Sequence, residues 1–317
     1  MSSIEKSVKG KNTYLSFVKK VMFMGKQLLI KKHIGKKITT ITKEGYLLDN
    51  INEISDEEFE LRKKYLNSIK GSLSHREGLV EEVEMKAIRI NNLQEAKSNP
   101  RTVTTDFSIK FIYNSNNIEG SKLPEEEVRK IVKTGKTDCQ NRNEAKEAFN
   151  SIEAFDYLKD FNFNITSIKR LYNVLTKGLV MSNGEAYPRG FKKVEIIIGN
   201  SKTTSPNNVE KELKQLIEWY KNNRKKLHPL ILAFNFHLRY EQIHPFRDGN
   251  GRTGRMIMNK ILMQNGYPPI IVFKENKEAY FNSIATATEG RKKKYYQFVL
   301  KQANKSYDYL LELLKDY

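Results

Sequence analysis

The residues best equipped for chemistry sit together in His244-Pro245-Phe246-Arg247-Asp248-Gly249-Asn250-Gly251-Arg252-Thr253-Gly254-Arg255. Physically this is a glycine-bearing loop opening a helix. Gly249 and Gly251 let the backbone take unusual dihedrals and let a ligand come close. The helix that follows points free N–H groups and its positive dipole end at that ligand, which favours a phosphate. Arg252 and Arg255 lie three apart, share a helix face, and can clamp further phosphate oxygens. Asp248 inside an anion-binding loop is costly unless a cation bridges it to the phosphates, and Mg²⁺ (or Mn²⁺) is the natural candidate, since Mg²⁺ binds through one or two carboxylates plus substrate phosphates. His244 opens the loop, where a neutral imidazole can take a proton from an attacking hydroxyl.

Other patterns fit these residues less well. GNGRTG satisfies G-x-G-x-x-G, but a dinucleotide site needs a preceding strand and a βαβ unit, whereas the preceding segment is helical. Asp248 and Asn250 resemble the start of a calcium loop, yet its twelfth position is Asn259 rather than Glu. A phosphate loop of the GK[ST] kind needs Lys then Ser/Thr after its last glycine, where Arg255 and Met256 stand. His244 has no partners at usable zinc spacing. A plain turn does not call for two glycines, two arginines, a histidine and an aspartate at once.

The elements that must position this loop read as helices. Residues 229–243 (PLILAFNFHLRYEQI) are apolar nearly all round, which predicts a buried helix running into the loop. A helix over about 252–264 follows. Helices are also expected over about 105–117, from Pro124, and over about 143–160, 166–179, 207–223, 275–288 and 293–316. Asn183, Gly184, Pro188 and Gly190 frame a short extended piece, Val194–Ile198, that reads as a hairpin interrupting the helices. The first fifty residues carry apolar patches broken by glycines and suit a small β-rich or mixed module. Ser55 with Glu58 reads as a capping box opening a helical stretch that runs to about residue 95. Ser98, Asn99 and Pro100 mark a boundary.

Length and composition set the outer limits. The 317 residues, 38% hydrophobic and 29% charged, suit one large globular domain or two modest ones. No apolar run approaches the roughly 18 residues a membrane span needs. The N-terminus lacks a signal-peptide core, and the lone Cys139 excludes an internal disulfide, so a cytoplasmic protein is expected. The net charge is +19, and residues 1–50 hold eleven Lys against three Asp/Glu. Solvated lysine faces account for this; attraction to a polyanion, nucleic acid included, is the alternative.

HPFRDGNGRTGR resembles the signature of the Fic (filamentation induced by cAMP) family at every defined position. His237 and Tyr240, His228-Pro229, and the Gly190-Phe191 … Ile198-Gly199 piece resemble the family's central helix and flap, so the likeness covers roughly residues 103–315. Ser115-Asn116-Asn117-Ile118-Glu119-Gly120, on its own a helix end closed by glycine, is similar to the family's inhibitory pattern in the class whose inhibitory helix precedes the core. The resemblance implies a mainly α fold: a Fic-type helical bundle with one β-hairpin flap, plus a small N-terminal α+β module. It divides the chain into residues 1–98, of unread role, and a Fic domain at 99–317 with its inhibitory helix at about 105–119.

The implied activity is protein adenylyl transfer: AMP passes from ATP to a Ser, Thr or Tyr hydroxyl of a protein target, this chain itself included. His244 is the implied general base and Asp248 the Mg²⁺ ligand. Gly249, Asn250 and Gly251 form the anion hole and Arg252 assists the phosphates. Arg255 takes the γ-phosphate in the active state and Glu119 in the resting state, with Ser115 part of the inhibitory motif. Tyr280 is a candidate contact for the adenosine part. Phe246 is expected to anchor the loop, and His237 to be a satisfied core histidine. Where relatives carry an Arg after the glycine-aromatic turn, this chain has Lys192 and Lys193. Two alternatives stand beside this reading: removal of AMP on the same fold, with Glu119 orienting water, and nucleic-acid binding through the basic N-terminal region.

Overall fold

The computed structural model describes residues 1–36, 40–66, 78–97, 100–198 and 201–316. The chain opens as an antiparallel meander of β1 (Ser2–Lys9), β2 (Asn12–Phe23) and β3 (Lys26–Lys36). Met24 and Gly25 close the second hairpin with φ of 49° and 75°, the double positive-φ turn that matches strand twist. That turn sits against Lys225, whose Cβ would lie 3.2 Å from a Cβ on Gly25. The inner face of the sheet buries Phe17, Phe23, Leu28 and Ile30 against α1 (Lys43–Asp49), α2 (Ile51–Leu66) and α3 (Leu79–Ala96).

The expected capping box at Ser55 and Glu58 is not one. Helix α2 begins at Ile51, and both residues are buried within it. Ser55 Oγ accepts from Asn92 Nδ2 at 2.9 Å, and Glu58 pairs with Lys19 at 2.7 Å and with Arg62. Tertiary partners have taken the groups that a free helix end would have used for capping. Of the boundary expected at 98–100, residues 98 and 99 lie outside the described residues; Pro100 opens α4 (Pro100–Ile118). Packing is continuous across this point: Phe23, Leu66, Val83 and Ile90 share one hydrophobic core with Phe107, Leu232 and Tyr267. A buried polar chain runs alongside, from Arg62 to Glu84 at 2.9 Å and from Tyr267 Oη to Glu84 at 2.5 Å and His228 at 3.1 Å.

The helices then follow the apolar periodicity. They are α5 (Glu125–Thr134), α6 (Arg142–Tyr157), α7 (Ile165–Leu175), α8 (Val209–Asn223), α9 (Pro229–Ile243), α10 (Asn250–Gln264), α11 (Lys277–Thr288) and α12 (Lys292–Asp316). Between α7 and α8 a short hairpin pairs β4 (Ile197–Ile198) with β5 (Ser201–Lys202). Helix α9 is buried on nearly every side, as its composition dictates; His228 caps its N-terminus, accepting from Leu230 N, and Pro229 fills its first position. Close approach of α9 and α10 depends on Gly254, where a Cβ would lie 2.6 Å from Glu241 Oε1 and 3.0 Å from Tyr240.

Candidate active site

The loop from His244 to Gly249 joins two deeply buried helices, and His244, Phe246 and Gly249 are each held by a separate device. His244 ends α9 in the left-handed region, φ 51°, with its N–H bonded to Tyr240 O at 2.9 Å. A non-glycine residue there costs on the order of 1–2 kcal/mol, and such strain gathers at functional sites. Phe246 is fully buried and stacks on Tyr172 at 3.8 Å, as expected of a loop anchor. The Asn250 side chain exchanges two hydrogen bonds with the Phe246 backbone, at 2.8 and 2.9 Å. Its amide is therefore spent on closing the loop, and what Asn250 can offer a phosphate is its main-chain N–H. Gly249 takes φ 77° at the helix N-cap, and the first backbone bond of α10 is Thr253 N to Gly249 O. The N–H groups of Asn250, Gly251 and Arg252 thus precede any helical acceptor.

A carboxylate already lies over Gly251. Ser115, in the last turn of α4, and Glu119, in the turn just past the end of that helix, together take Arg255, which reaches them from one turn into α10. Arg255 Nε donates to Ser115 Oγ at 3.1 Å, and its Nη2 donates to Ser115 O at 2.9 Å and to Glu119 Oε1 at 2.7 Å. Burial works against the Arg255 charge, but Glu119 and Tyr280 together outweigh it and the guanidinium is held above its ordinary range. Any side chain at Gly251 would overlap the Glu119 carboxyl. A cavity of about 140 Å³ remains beside it, walled by Glu119, His244, Gly251, Tyr280, Ile198 and Ile284. A larger cleft of about 520 Å³, between α4, α6 and α10, holds none of the motif residues.

His244 is kept neutral. Burial, with the Lys192 ammonium adding to it, pushes the His244 imidazole down to about 4, against the pull of Glu119, Asp248 and the Glu241 carbonyl. Glu241 Oε2 lies 3.9 Å from His244 Nδ1, and burial pushes its carboxyl up to about 8. Glu241 is the single acidic residue in 229–243, the one signal in the sequence that points to it. Lys192 is buried too, donating to Thr203 Oγ1 at 2.5 Å and to Ile243 O at 3.2 Å. It ties the flap to the end of α9 instead of reaching outward as a target contact. His237 is the satisfied core histidine expected: its ring nitrogens meet Tyr295 Oη at 2.7 Å and Tyr280 Oη at 3.1 Å. Tyr280 borders the cavity with its ring under the Arg255 guanidinium, 5.8 Å away, and its hydroxyl turned to His237.

Asp248 and Arg252 form a second layer. Asp248 Oδ1 accepts from Gly249 N at 2.5 Å, and Oδ2 from Tyr187 Oη at 2.9 Å. Arg252 is buried, with Nη1 on Glu147 and Nη2 on Tyr187 Oη at 3.0 Å. Its guanidinium faces Glu147 and Tyr187, leaving Nε as its buried nitrogen without a partner among the described residues. Neither Tyr187 nor Glu147 was singled out in the sequence; they lie 61 and 105 positions from the groups they hold. Among the described residues no cluster of three or more His, Cys, Asp or Glu could cage a metal.

Residues 162–262 match the Fic/DOC family. The chain is 26% identical over 242 residues to the protein adenylyltransferase Fic of Drosophila mojavensis, covering 74% of this chain and 47% of that protein. It spans about half the length of the curated relatives it matches. Among solved structures, a Fic-domain-containing signaling protein from Bacteroides thetaiotaomicron superposes with a TM-score of 0.64 at 22% identity, over 74% of this chain and 98% of that one. A Fic family protein from Desulfovibrio desulfuricans superposes with 0.63 at 26% identity, over 74% of each. Among the described residues no helix is long and apolar enough to cross a membrane.

Proposed function

We propose that this chain, which carries a Fic/DOC-family domain, is a protein adenylyltransferase held in a resting state by its own Glu119. The observation that carries the reading is the joint placement of His244, the open N-terminus of α10 and Glu119 around one small cavity. A target hydroxyl attacks the α-phosphate of ATP. A new O–P bond forms, the bond from the α-phosphorus to the bridging oxygen breaks, and pyrophosphate leaves. His244 takes the hydroxyl proton; it is neutral at pH 7 and able to accept. The triphosphate's negative charge, arriving beside it, favours the protonated form and so strengthens the base as the reaction needs it.

The N–H groups of Asn250, Gly251 and Arg252 supply fixed dipoles for the charge that builds on the phosphates. Arg255, once free of Glu119, is the cation left to receive the γ-phosphate. Asp248 keeps lone pairs to spare on both oxygens, so it fits a divalent cation shared with the nucleotide. When bound, Mg²⁺ or Mn²⁺ neutralises phosphate charge and steadies the departing pyrophosphate. In the resting state Glu119 occupies both Arg255 and the space over Gly251, so phosphates that enter must settle elsewhere. A shift of about 1 Å at the reacting atoms can cost roughly 10²-fold in rate.

Incubation with labelled ATP and cell lysate, comparing the Glu119→Gly chain with Glu119→Gly/His244→Ala, tests the reaction. The first should label protein. The second should lose transfer by about 10²–10⁴ through loss of the base, while still binding ATP. Equal labelling by both would remove His244 from the mechanism.

A further inference from the structure

We propose that Tyr187 is a positioning residue for Asp248, and that the run Glu147–Arg252–Tyr187–Asp248 fixes the carboxylate in the orientation that takes a divalent cation. This rests on the reading of Asp248 given above. Tyr187 belongs to the irregular stretch between α7 and the flap hairpin, yet it is located from several sides. Its N–H bonds to Leu179 O at 3.4 Å, the bridge between Val180 and Ala186 closes the turn before it, and Tyr172 Oη donates to the carbonyl of the next residue, Pro188, at 2.9 Å. Its ring lies under the Arg252 guanidinium, 5.7 Å from the centroid.

The chemistry then fixes the direction of every proton in the run. A guanidinium only donates, so the Tyr187 hydroxyl accepts from Arg252 Nη2 at 3.0 Å. The one hydroxyl proton is left to donate, and Asp248 Oδ2 receives it at 2.9 Å. Glu147, from α6, draws the other end of the guanidinium away from the loop. Asp248 is thus pinned once on each oxygen, by Gly249 N and by Tyr187, and the remaining lone pairs stay available. The hydroxyl also acts as a spacer. Without it, Arg252 Nη2 loses its acceptor and Asp248 becomes the carboxylate that can replace it. A direct Asp248–Arg252 pair would consume the lone pairs a cation needs. Groups that orient a metal-binding side chain typically change metal affinity by about 10–100-fold when removed.

The test uses the Glu119→Gly/His244→Ala chain, in which the phosphate site is open and turnover is blocked. ATP affinity is measured by calorimetry in EDTA and again with saturating Mn²⁺; the ratio is the gain that the metal confers. Tyr187→Phe keeps the ring and removes the hydroxyl. It should cut the gain by about 10–100-fold, with affinity in EDTA unchanged. Tyr187→Leu, which removes the ring as well, should cut it no further. Asp248→Ala should abolish the gain. If Asp248→Ala abolishes it while Tyr187→Phe keeps it, the positioning role is overturned and the metal reading stands. If only Tyr187→Leu loses it, packing of the ring is responsible and the proposal again fails. If Asp248→Ala keeps the full gain, the reading of Asp248 itself falls, and this proposal with it.

Discussion

At the scale of single residues, the site is a set of charges kept in unusual states by burial. His237 and His244 are held at about 3 and about 4, while burial holds Glu241 up at about 8. The consequence for stability has a sign. An unfolded histidine takes a proton near pH 6.5. Between that value and about 4 the unfolded chain therefore binds protons that the fold refuses, and stability falls as pH drops through this window. Glu241 runs the other way: its contribution is full below its unfolded value and is lost as pH rises through about 8. The His244→Ala chain should lose stability less steeply than the parent from pH 6.5 to 4, by up to about 1.4 kcal/mol per pH unit. Urea midpoints taken across that range measure it, and parallel curves for the two proteins would mean that His244 is not held neutral.

At the scale of elements, α9 and α10 bring His244 and the N-terminus of α10 together, and Gly254 sets how closely they pack. Gly254→Ala pushes a methyl group against Glu241 Oε1 and the Tyr240 ring. Overpacking of this kind costs about 1–3 kcal/mol, so the thermal midpoint should fall and the His244 loop should loosen with it. An unchanged midpoint would show that the helices can part freely. These elements were largely legible in the sequence because their information is local. Apolar residues all round mark α9, and the glycine-arginine pattern marks the start of α10. The same locality misled at Ser55 and Glu58, where a local capping pattern is overridden by Asn92, Lys19 and Arg62. Tyr187, Glu147 and Glu241 were missed for a related reason. What each does depends on a partner from another element or from the far side of a turn, and no spacing rule reports that.

At the scale of the whole molecule, distant parts of the chain are wired to one another. The N-terminal sheet and α2–α3 share the core of the later helices, and Arg62, Glu84, Tyr267 and His228 carry a buried polar chain from α2 and α3 to the start of α9. Lysine-rich composition gave no hint of this, because the lysines that dominate residues 1–50 mostly face outward while the apolar inner face does the packing. A further long-range contact, the one proposed above as inhibitory, joins Glu119 to Arg255 across 136 positions. It was legible in advance because each end lies in its own short motif. Auto-modification with labelled ATP, wild type beside Glu119→Gly, measures most directly whether that contact is the brake. Freed of the carboxylate over Gly251, Arg255 and the α10 N-terminus can seat the phosphates in line, and labelling should rise by about 10²-fold or more, with a much smaller change in ATP affinity. Equal labelling of the two proteins would mean that Ser115–Gly120 is only the end of a helix and that the resting state lies elsewhere.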